Sequence, residues 1–244
     1  MRHDAHYVDE LESRRRPADP VAPGLAFPTS IPVTFALRDM SQELEGVASC
    51  FNLVDRRARP LRERLGLSLA RVGVQRNMRA FQALRVLLED PAPEPSLTSL
   101  NSIVEQTVLS FDEELRIIES RAALDLHEGH ARANMDARML LIAVQGCVGT
   151  LASMIEASGQ GGAIHIATRI GEGVASCEMR QDSYRMAAER FGHLADLEWC
   201  ERPGGIPAGI SLAAAARIAQ AHGGALDAHR TEAGGCTLSL SIKT

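Results

Sequence analysis

The stretch from Gly204 to Gly224 carries the residues of this chain that are best suited to holding a ligand. A glycine-rich loop leads there into a helix of small residues, and the helix ends at the pair Gly223 and Gly224. The backbone N–H groups of such a loop, together with the helix N-terminus, can cradle a phosphate group. The same glycines also suit a purely structural turn and helix end, so both interpretations stand at this point.

Histidine and cysteine positions limit the other chemistry that the chain can perform. No histidine lies between residues 7 and 126; the eight are His3, His6, His127, His130, His165, His193, His222 and His229. The cysteines form no C-x-x-C pair, which argues against a metal site or a disulfide framework. We interpret all five as buried apolar thiols: Cys50, Cys147, Cys177, Cys200 and Cys236.

The first half of the chain predicts a helical hairpin over residues 34–90, after a disordered, proline-rich tail at 1–33 that includes Arg14, Arg15 and Arg16. A helix over 36–58 repeats apolar residues in steps of three and four: Leu37, Met40, Leu44, Val47, Phe51, Val54 and Ala58. Pro60 marks the joint to a second helix over 61–88. One hairpin cannot bury both apolar faces, so we expect a homodimer with a four-helix bundle.

Prolines at 91, 93 and 95 separate the hairpin from a second domain at residues 96–244. A helix near 100–120, with Ser99 or Thr98 as its N-cap, precedes a short strand and a strongly apolar helix over 136–157. We judge that apolar helix too short and interrupted to span a membrane, and expect it to pack on a sheet. Two strands over 163–182 and a closing hairpin after 224 complete an α+β fold.

Composition narrows the classes of partner. Hydrophobic residues make up 45% of the chain, which is enough for well-packed cores, and the net charge of −5 gives no reason to expect nucleic acid or an anionic membrane. We find no signal-peptide pattern and no sufficiently long apolar run. We therefore expect a cytoplasmic protein with no nucleic-acid partner and no membrane contact.

The order of these features resembles the ATP-binding domain of sensor histidine kinases, the gyrase and histidine-kinase type ATPases. Their last glycine box reads roughly G-x-G-x-G-[LI]. Here Gly205, Pro207 and Gly209 stand at the three glycine positions, and H-G-G at 222–224 ends the helix as in that family. The resemblance extends over residues 36–244 and implies a dimerisation hairpin followed by an α/β-sandwich ATPase domain.

The same resemblance indicates what has been replaced in the hairpin. The family carries its phosphoacceptor histidine in a motif like N-M-S-H-E-L-R on the first hairpin helix. Residues 39–45 of this chain read DMSQELE, so Gln42 stands at the histidine position. A neutral amide is not a nucleophile that accepts a phosphoryl group from ATP.

Replacements also fall in the implied nucleotide pocket. The asparagine box, close to N-L-L-x-N-A-I-x-A, aligns with residues 149–157, where Gly149 and Ser153 replace the two asparagines. The second asparagine helps to hold Mg²⁺ in the family, and serine reaches less far. In the box D-x-G-x-G, Asp182 is interpreted as the retained adenine-reading aspartate, but both glycines are gone and Tyr184 and Met186 would crowd a purine.

These replacements imply a catalytically degenerate histidine-kinase-like protein that acts in two-component signalling by binding a response regulator or a kinase. We expect no catalytic residue, no metal and no ATP or Mg²⁺ as cofactor. Remnants of the nucleotide pocket are assigned to Gly149, Ser153, Asp182, Gly205 and Gly209. Two alternatives stay open: a divergent histidine kinase that still binds ATP, and a phosphotransfer protein, similar to bacterial histidine phosphotransferases, with a non-standard phosphoacceptor.

Residues 186–203, including Trp199, stand in place of the nucleotide lid.

Overall fold

A computed structural model describes residues 31–53, 60–89, 92–128, 132–197 and 202–244 of the chain. The first 30 residues of the tail predicted over 1–33, the joint at 54–59, and both Trp199 and Cys200 lie outside the described residues.

The hairpin consists of helix α1 (Ile31–Leu53) and helix α2 (Leu61–Glu89). Helix α1 begins at Ile31 rather than near residue 36, so residues 31–33 are helical and do not belong to the predicted disordered tail. Pro32 is compatible with this start because the N–H groups of a first helical turn have no partner within the helix. Helix α2 covers the span that the sequence predicted for it.

The second part of the chain is a mixed sheet with helices on one side. The order of strands in the five-stranded sheet is β2-β4-β5-β7-β6, in which β2 and β4 are parallel and the other neighbours are antiparallel. Strands β1 and β3 form a separate antiparallel pair, which the sequence analysis missed because three residues are too few to show a period. The elements are β1 (Ser96–Thr98), α3 (Leu100–Ile117), β2 (Ser120–Asp125), β3 (Ala133–Met135), α4 (Ala137–Ser158), β4 (Gly162–Gly171), β5 (Val174–Gln181), a 3₁₀ helix (Ala188–His193), α5 (Gly205–Ala221), β6 (Ala225–Arg230) and β7 (Cys236–Lys243).

Helix α4 is the central helix of this part. Its 22 residues are long and apolar enough to cross a bilayer, so the sequence-based judgement that it is too short was wrong. Its most apolar window is 67% buried inside the protein, which is the placement of a core helix packed on a sheet. The helix begins after Asp136, whose carboxylate accepts a hydrogen bond from the N–H of Met139 at 3.0 Å.

One hydrophobic core runs through both parts of the chain. Ala83, Val86 and Leu87 of the second hairpin helix are buried in the same cluster as side chains from α3, α4, α5 and the sheet. The packing therefore crosses the boundary that the sequence predicted at the prolines. Helix α2 is a shared element, with one end in the hairpin and the other in the core of the sheet domain.

Candidate functional site

A cavity of about 300 Å³ lies between helix α2, helix α4 and the N-terminal end of helix α5. This volume is at the lower end of the range of small-molecule pockets, roughly 300–1,000 Å³. Two of the predicted remnants, Gly149 and Ser153, line it from helix α4. The lining residues from the other two elements are Gly73, Arg76, Asn77, Arg79 and Ala80 of α2, and Gly204, Pro207, Ala208 and Ser211 at the start of α5.

The loop before helix α5 touches helix α4 closely at Gly204. This residue has a φ of +79°, and a Cβ atom built on it would lie 2.9 Å from the Oγ atom of Ser153. Both the backbone conformation and the lack of space therefore require glycine. Gly205, which was predicted as a remnant of the pocket, begins the helix with a φ of +58°, whereas Gly204, the first residue of the predicted stretch, is the one that lines the cavity.

The groups at the implied phosphate and metal positions are weak ligands. A Cβ on Gly149 would face the ring of Phe111 at 3.5 Å, and the residue offers no side chain of its own. Pro207 lies in the first turn of α5 on the cavity wall and has no N–H to donate. Among the described residues, no group of three or more His, Cys, Asp or Glu is placed to hold a metal ion.

Asp182 does not line the cavity. Every second residue of strand β5 is buried, from Ala175 to Gln181, so Gln181 and not Asp182 faces the interior at the end of the strand. The carboxylate of Asp182 instead accepts hydrogen bonds from Thr231 at 2.6 Å and from Arg180 at 2.7 Å. Partial burial would raise the pKa of Asp182, but these bonds outweigh it and hold the pKa below its usual range. The assignment of Asp182 to a nucleotide pocket stays a prediction, and the residue lies apart from the cavity that Gly149 and Ser153 line.

The side-chain amide of Gln181 forms hydrogen bonds with the backbone of the loop that follows strand β5. Its Nε2 atom donates to the carbonyl of Tyr184 at 3.0 Å, and its Oε1 atom accepts from the N–H of Tyr184 at 2.8 Å. The side chain is fully buried, so its hydrogen-bonding groups are directed to the protein rather than to solvent. Counting the alternation of strand β5 from Ala175 would have identified Gln181 from the sequence.

The segment that stands in place of a nucleotide lid is packed into the core. Met186, Phe191 and Leu194 are all buried in the main hydrophobic cluster, and Tyr184 packs against it half-buried. The segment 186–197 contains the 3₁₀ helix, and these buried side chains attach it to the core while most of its other residues are exposed. The predicted crowding of a purine by Tyr184 and Met186 stays a prediction; the structure shows Met186 in the core and Tyr184 packed against it.

Gly209 does not line the cavity either. It is buried in the second turn of helix α5, and the guanidinium group of Arg202 occupies the space where its Cβ atom would lie. Arg202 was not among the predicted site residues, because nothing local to its position indicates that its side chain packs on the helix that follows.

A cluster of ion pairs connects helix α2 to the rest of the domain beside the cavity. Glu114 of helix α3 is 1% exposed and accepts hydrogen bonds from Arg76, at 2.7 Å, and from Arg79. Arg76 also pairs with Glu156 of helix α4 at 2.8 Å, and the guanidinium of Arg79 lies 3.9 Å from the centre of the Phe111 ring. The second hairpin helix is therefore held against both α3 and α4.

The hairpin presents an amide and apolar side chains to solvent. Gln42 is exposed on helix α1. Large apolar side chains of both helices are exposed as well: Met40, Val47, Leu61, Leu65 and Leu69. The structure thus places Gln42 outside the cavity, on the face of a helix that carries no imidazole.

Comparison with solved structures identifies the architecture. The catalytic domain of histidine kinase ThkA matches with a TM-score of 0.54 and 18% identity over 62% of this chain and 95% of that one. The Acinetobacter baumannii histidine kinase AdeS matches with a TM-score of 0.55 and 16% identity over 85% of this chain and 96% of that one. The chain has the fold of a histidine kinase catalytic domain. The predicted α+β fold class is thereby confirmed.

A longer match includes the hairpin. Histidine kinase ThkA in complex with response regulator TrrA matches with a TM-score of 0.54 and 14% identity, over 87% of this chain and 60% of that one. No protein-family model and no curated protein matches the sequence. At these identities the structural likeness concerns the fold.

Proposed function

We propose that this protein is a catalytically inactive histidine-kinase-like protein of two-component signalling, which acts by binding a response regulator or a histidine kinase. The observation that carries the proposal is the lining of the cavity. Where the resembled family presents asparagine and glycine groups to phosphate and Mg²⁺, this cavity presents Gly149, Ser153 and Pro207. A missing side chain, a short hydroxyl and a ring without N–H leave little to bind Mg-ATP.

The arginines at the cavity wall do not replace those lost groups. Both Arg76 and Arg79 donate to the carboxylate of Glu114, and Arg76 also pairs with Glu156. Their positive charge is thereby balanced by two carboxylates within the protein. A triphosphate would have to compete with these pairs and to accept the repulsion of Glu114, which also lines the cavity.

A homodimer through the hairpin is part of the proposal. Leu61, Leu65 and Leu69 are spaced by four residues and lie 74%, 55% and 51% exposed on one side of helix α2. Met40 and Val47, seven residues apart on helix α1, are also exposed. Exposed apolar side chains at helical spacing are typical of an interface, and a second copy would cover them in a four-helix bundle.

A response regulator is the partner that we favour. The similarly folded ThkA binds one, and Gln42 lies exposed on the hairpin between Met40 and Leu44, in the position that the family resemblance gives to its phosphoacceptor. We further propose a cytoplasmic location without membrane contact, because the one described helix of sufficient length and apolarity, α4, is buried in the core.

The proposal is tested by replacing Gln42 with histidine. Labelled phosphate is offered from each phosphorylated response regulator of the host to wild type and to Gln42→His. Because proximity and an imidazole nitrogen suffice for the transfer, we expect label on the variant only. An exposed control on the same helix, Glu43→His, should remain unlabelled. Label on wild type would support the phosphotransfer alternative, and label on neither Gln42→His nor wild type would argue against a response-regulator partner.

Nucleotide binding is tested separately by calorimetric titration with Mg-ATP. Losing two or three interactions at roughly 1.5–3 kcal/mol each lowers affinity by orders of magnitude, so the titration should show no heat of binding. A micromolar dissociation constant would favour the alternative of a divergent, ATP-binding histidine kinase.

A further inference from the structure

We infer that Arg202 is an internal latch, whose guanidinium group occupies the face of helix α5 left open by Gly209 and fastens residues 186–197 to that helix. The inference concerns the conformation of the chain itself and goes beyond the partner-binding role proposed above. It rests on the contacts of Arg202 with Gly209, Leu194 and Asp196.

The side chain of Arg202 explains why residue 209 is a glycine. A Cβ atom there would lie 2.2 Å from Nη1 and 2.6 Å from Cζ of Arg202, closer than any real contact. Gly209 is in the interior of helix α5, where glycine is less favourable than alanine. The glycine is therefore required by the arginine side chain rather than by an unusual turn.

The guanidinium group of Arg202 donates hydrogen bonds to the backbone of the segment 186–197. Arg202 is 3% exposed, and a buried charge is costly unless its donors are satisfied. Its Nη1 atom donates to the carbonyl of Leu194 at 2.5 Å, and its Nη2 atom donates to the carbonyl of Asp196. The two Nη atoms of one planar group therefore donate to two backbone carbonyls of the same segment. A lysine cannot reproduce this geometry, because its ammonium group is a single point charge.

The segment 186–197 is also attached at its first residue, Met186. The N–H of Met186 donates to the carbonyl of Gly234, in the turn between β6 and β7, at 3.4 Å. Between these two attachments, Phe191 and Leu194 are buried in the core. The segment that stands in place of a nucleotide lid is thus held in place by groups of the chain itself. Arg202 packs on Gly209, the last glycine of the last glycine box.

Hydrogen–deuterium exchange of the full-length protein tests the latch. Arg202→Ala should raise the exchange rate of amides in 186–197 by about tenfold or more, because local opening no longer breaks the two bonds. Gly209→Ala should do the same, because its Cβ atom displaces the guanidinium. Arg202→Lys should retain only part of the protection. The matched control Gly66→Ala, in helix α2 with no atom near its added Cβ, should leave this segment unchanged.

A double variant separates the latch from general damage to helix α5. In the wild-type background Gly209→Ala should lower the midpoint of thermal unfolding. In the Arg202→Ala background the same change should leave the midpoint unchanged or raise it, because the space is then empty and alanine favours the helix. The latch is refuted if Gly209→Ala is equally harmful in both backgrounds, or if Arg202→Ala leaves exchange in 186–197 at the wild-type rate.

Discussion

Arg76 of the second hairpin helix donates a hydrogen bond of 2.7 Å to Glu114 of helix α3, across the boundary between the hairpin and the sheet domain. Arg79 donates to the other oxygen of the same carboxylate, which is almost completely buried. A buried carboxylate that accepts hydrogen bonds from two arginines holds helix α2 against helix α3.

Replacement of Glu114 by glutamine should be strongly destabilising. The change keeps the shape of the side chain but leaves Arg79 largely buried without its counter-charge, at a cost of about 3–5 kcal/mol in the free energy of unfolding. Urea unfolding measures this loss. The control Asp112→Asn breaks the pair with Arg116 on the same helix, where both side chains are exposed, and should cost less than about 1 kcal/mol. Equal losses in the two variants would contradict the structural importance of the buried cluster.

The hairpin face should control the oligomeric state. Leu65→Asp places a charge in the apolar stripe of helix α2, and Leu44→Asp does so on helix α1, so each should abolish the dimer or cause aggregation. Light scattering measures the mass in solution. The control Leu109→Asp alters a leucine of helix α3 that is 77% exposed and lies outside the hairpin, and it should leave the dimer intact. A wild-type protein that is monomeric at high concentration would rule out the bundle.

Asp136 should make stability depend on pH in the acid range. Its carboxylate accepts the N–H of Glu94 at 2.9 Å and the N–H of Met139 at 3.0 Å. Burial would raise the pKa of Asp136, but these bonds outweigh it and the pKa is lowered on folding. The contribution of the charge is therefore present above the unfolded pKa of about 4 and is lost as pH falls through the folded pKa.

The test compares wild type with Asp136→Asn by urea unfolding between neutral and strongly acid pH. The variant should be less stable by about 1 kcal/mol at neutral pH, and the difference should shrink as the solution is acidified below about pH 4. A difference that stays constant down to the lowest accessible pH would show that the carboxylate charge contributes nothing.

Thiol reactivity should separate one cysteine from three others. Cys50 is exposed, whereas burial raises the pKa of Cys177 and of Cys236 to about 12 and that of Cys147 further still. Because the thiolate is the reactive form, the buried thiols should not react in the native protein. In a Cys200→Ser variant, a chromogenic disulfide reagent should modify only Cys50 until denaturant is added. Rapid native modification of a second thiol would contradict the packing of the core.

Much of the fold could be predicted from local sequence signals. Helix α2 was predicted from its apolar spacing, Ser99 was predicted as a cap, and the structure shows it accepting the N–H of Ser102. The expectation that all cysteines are buried was wrong for Cys50, which is exposed on helix α1, a helix that packs against α2 and contributes no described residue to the main hydrophobic core.

The site could be predicted only in part, because its decisive contacts are distant in the sequence. The alternation of strand β5 indicates that Gln181 is buried, but only the register with strand β7 places Cys236 opposite it. The ion pairs of Glu114 with Arg76 and Arg79 join residues 35–38 positions apart. A sequence pattern identifies such residues as charged, but only the packing of α2 on α3 makes them partners.

Strand β7 lies between β5 and β6, and it pairs along its whole length with β5, from Val174 opposite Lys243 to Gln181 opposite Cys236. During synthesis, the β4–β5 hairpin can therefore form early, but one edge of β5 must wait for residues 236–243. An unpaired strand edge can join the edge of another chain. Pairing across this many residues is also slow to form, so we expect nascent chains to expose an edge of β5 that strand β7 covers in the folded protein.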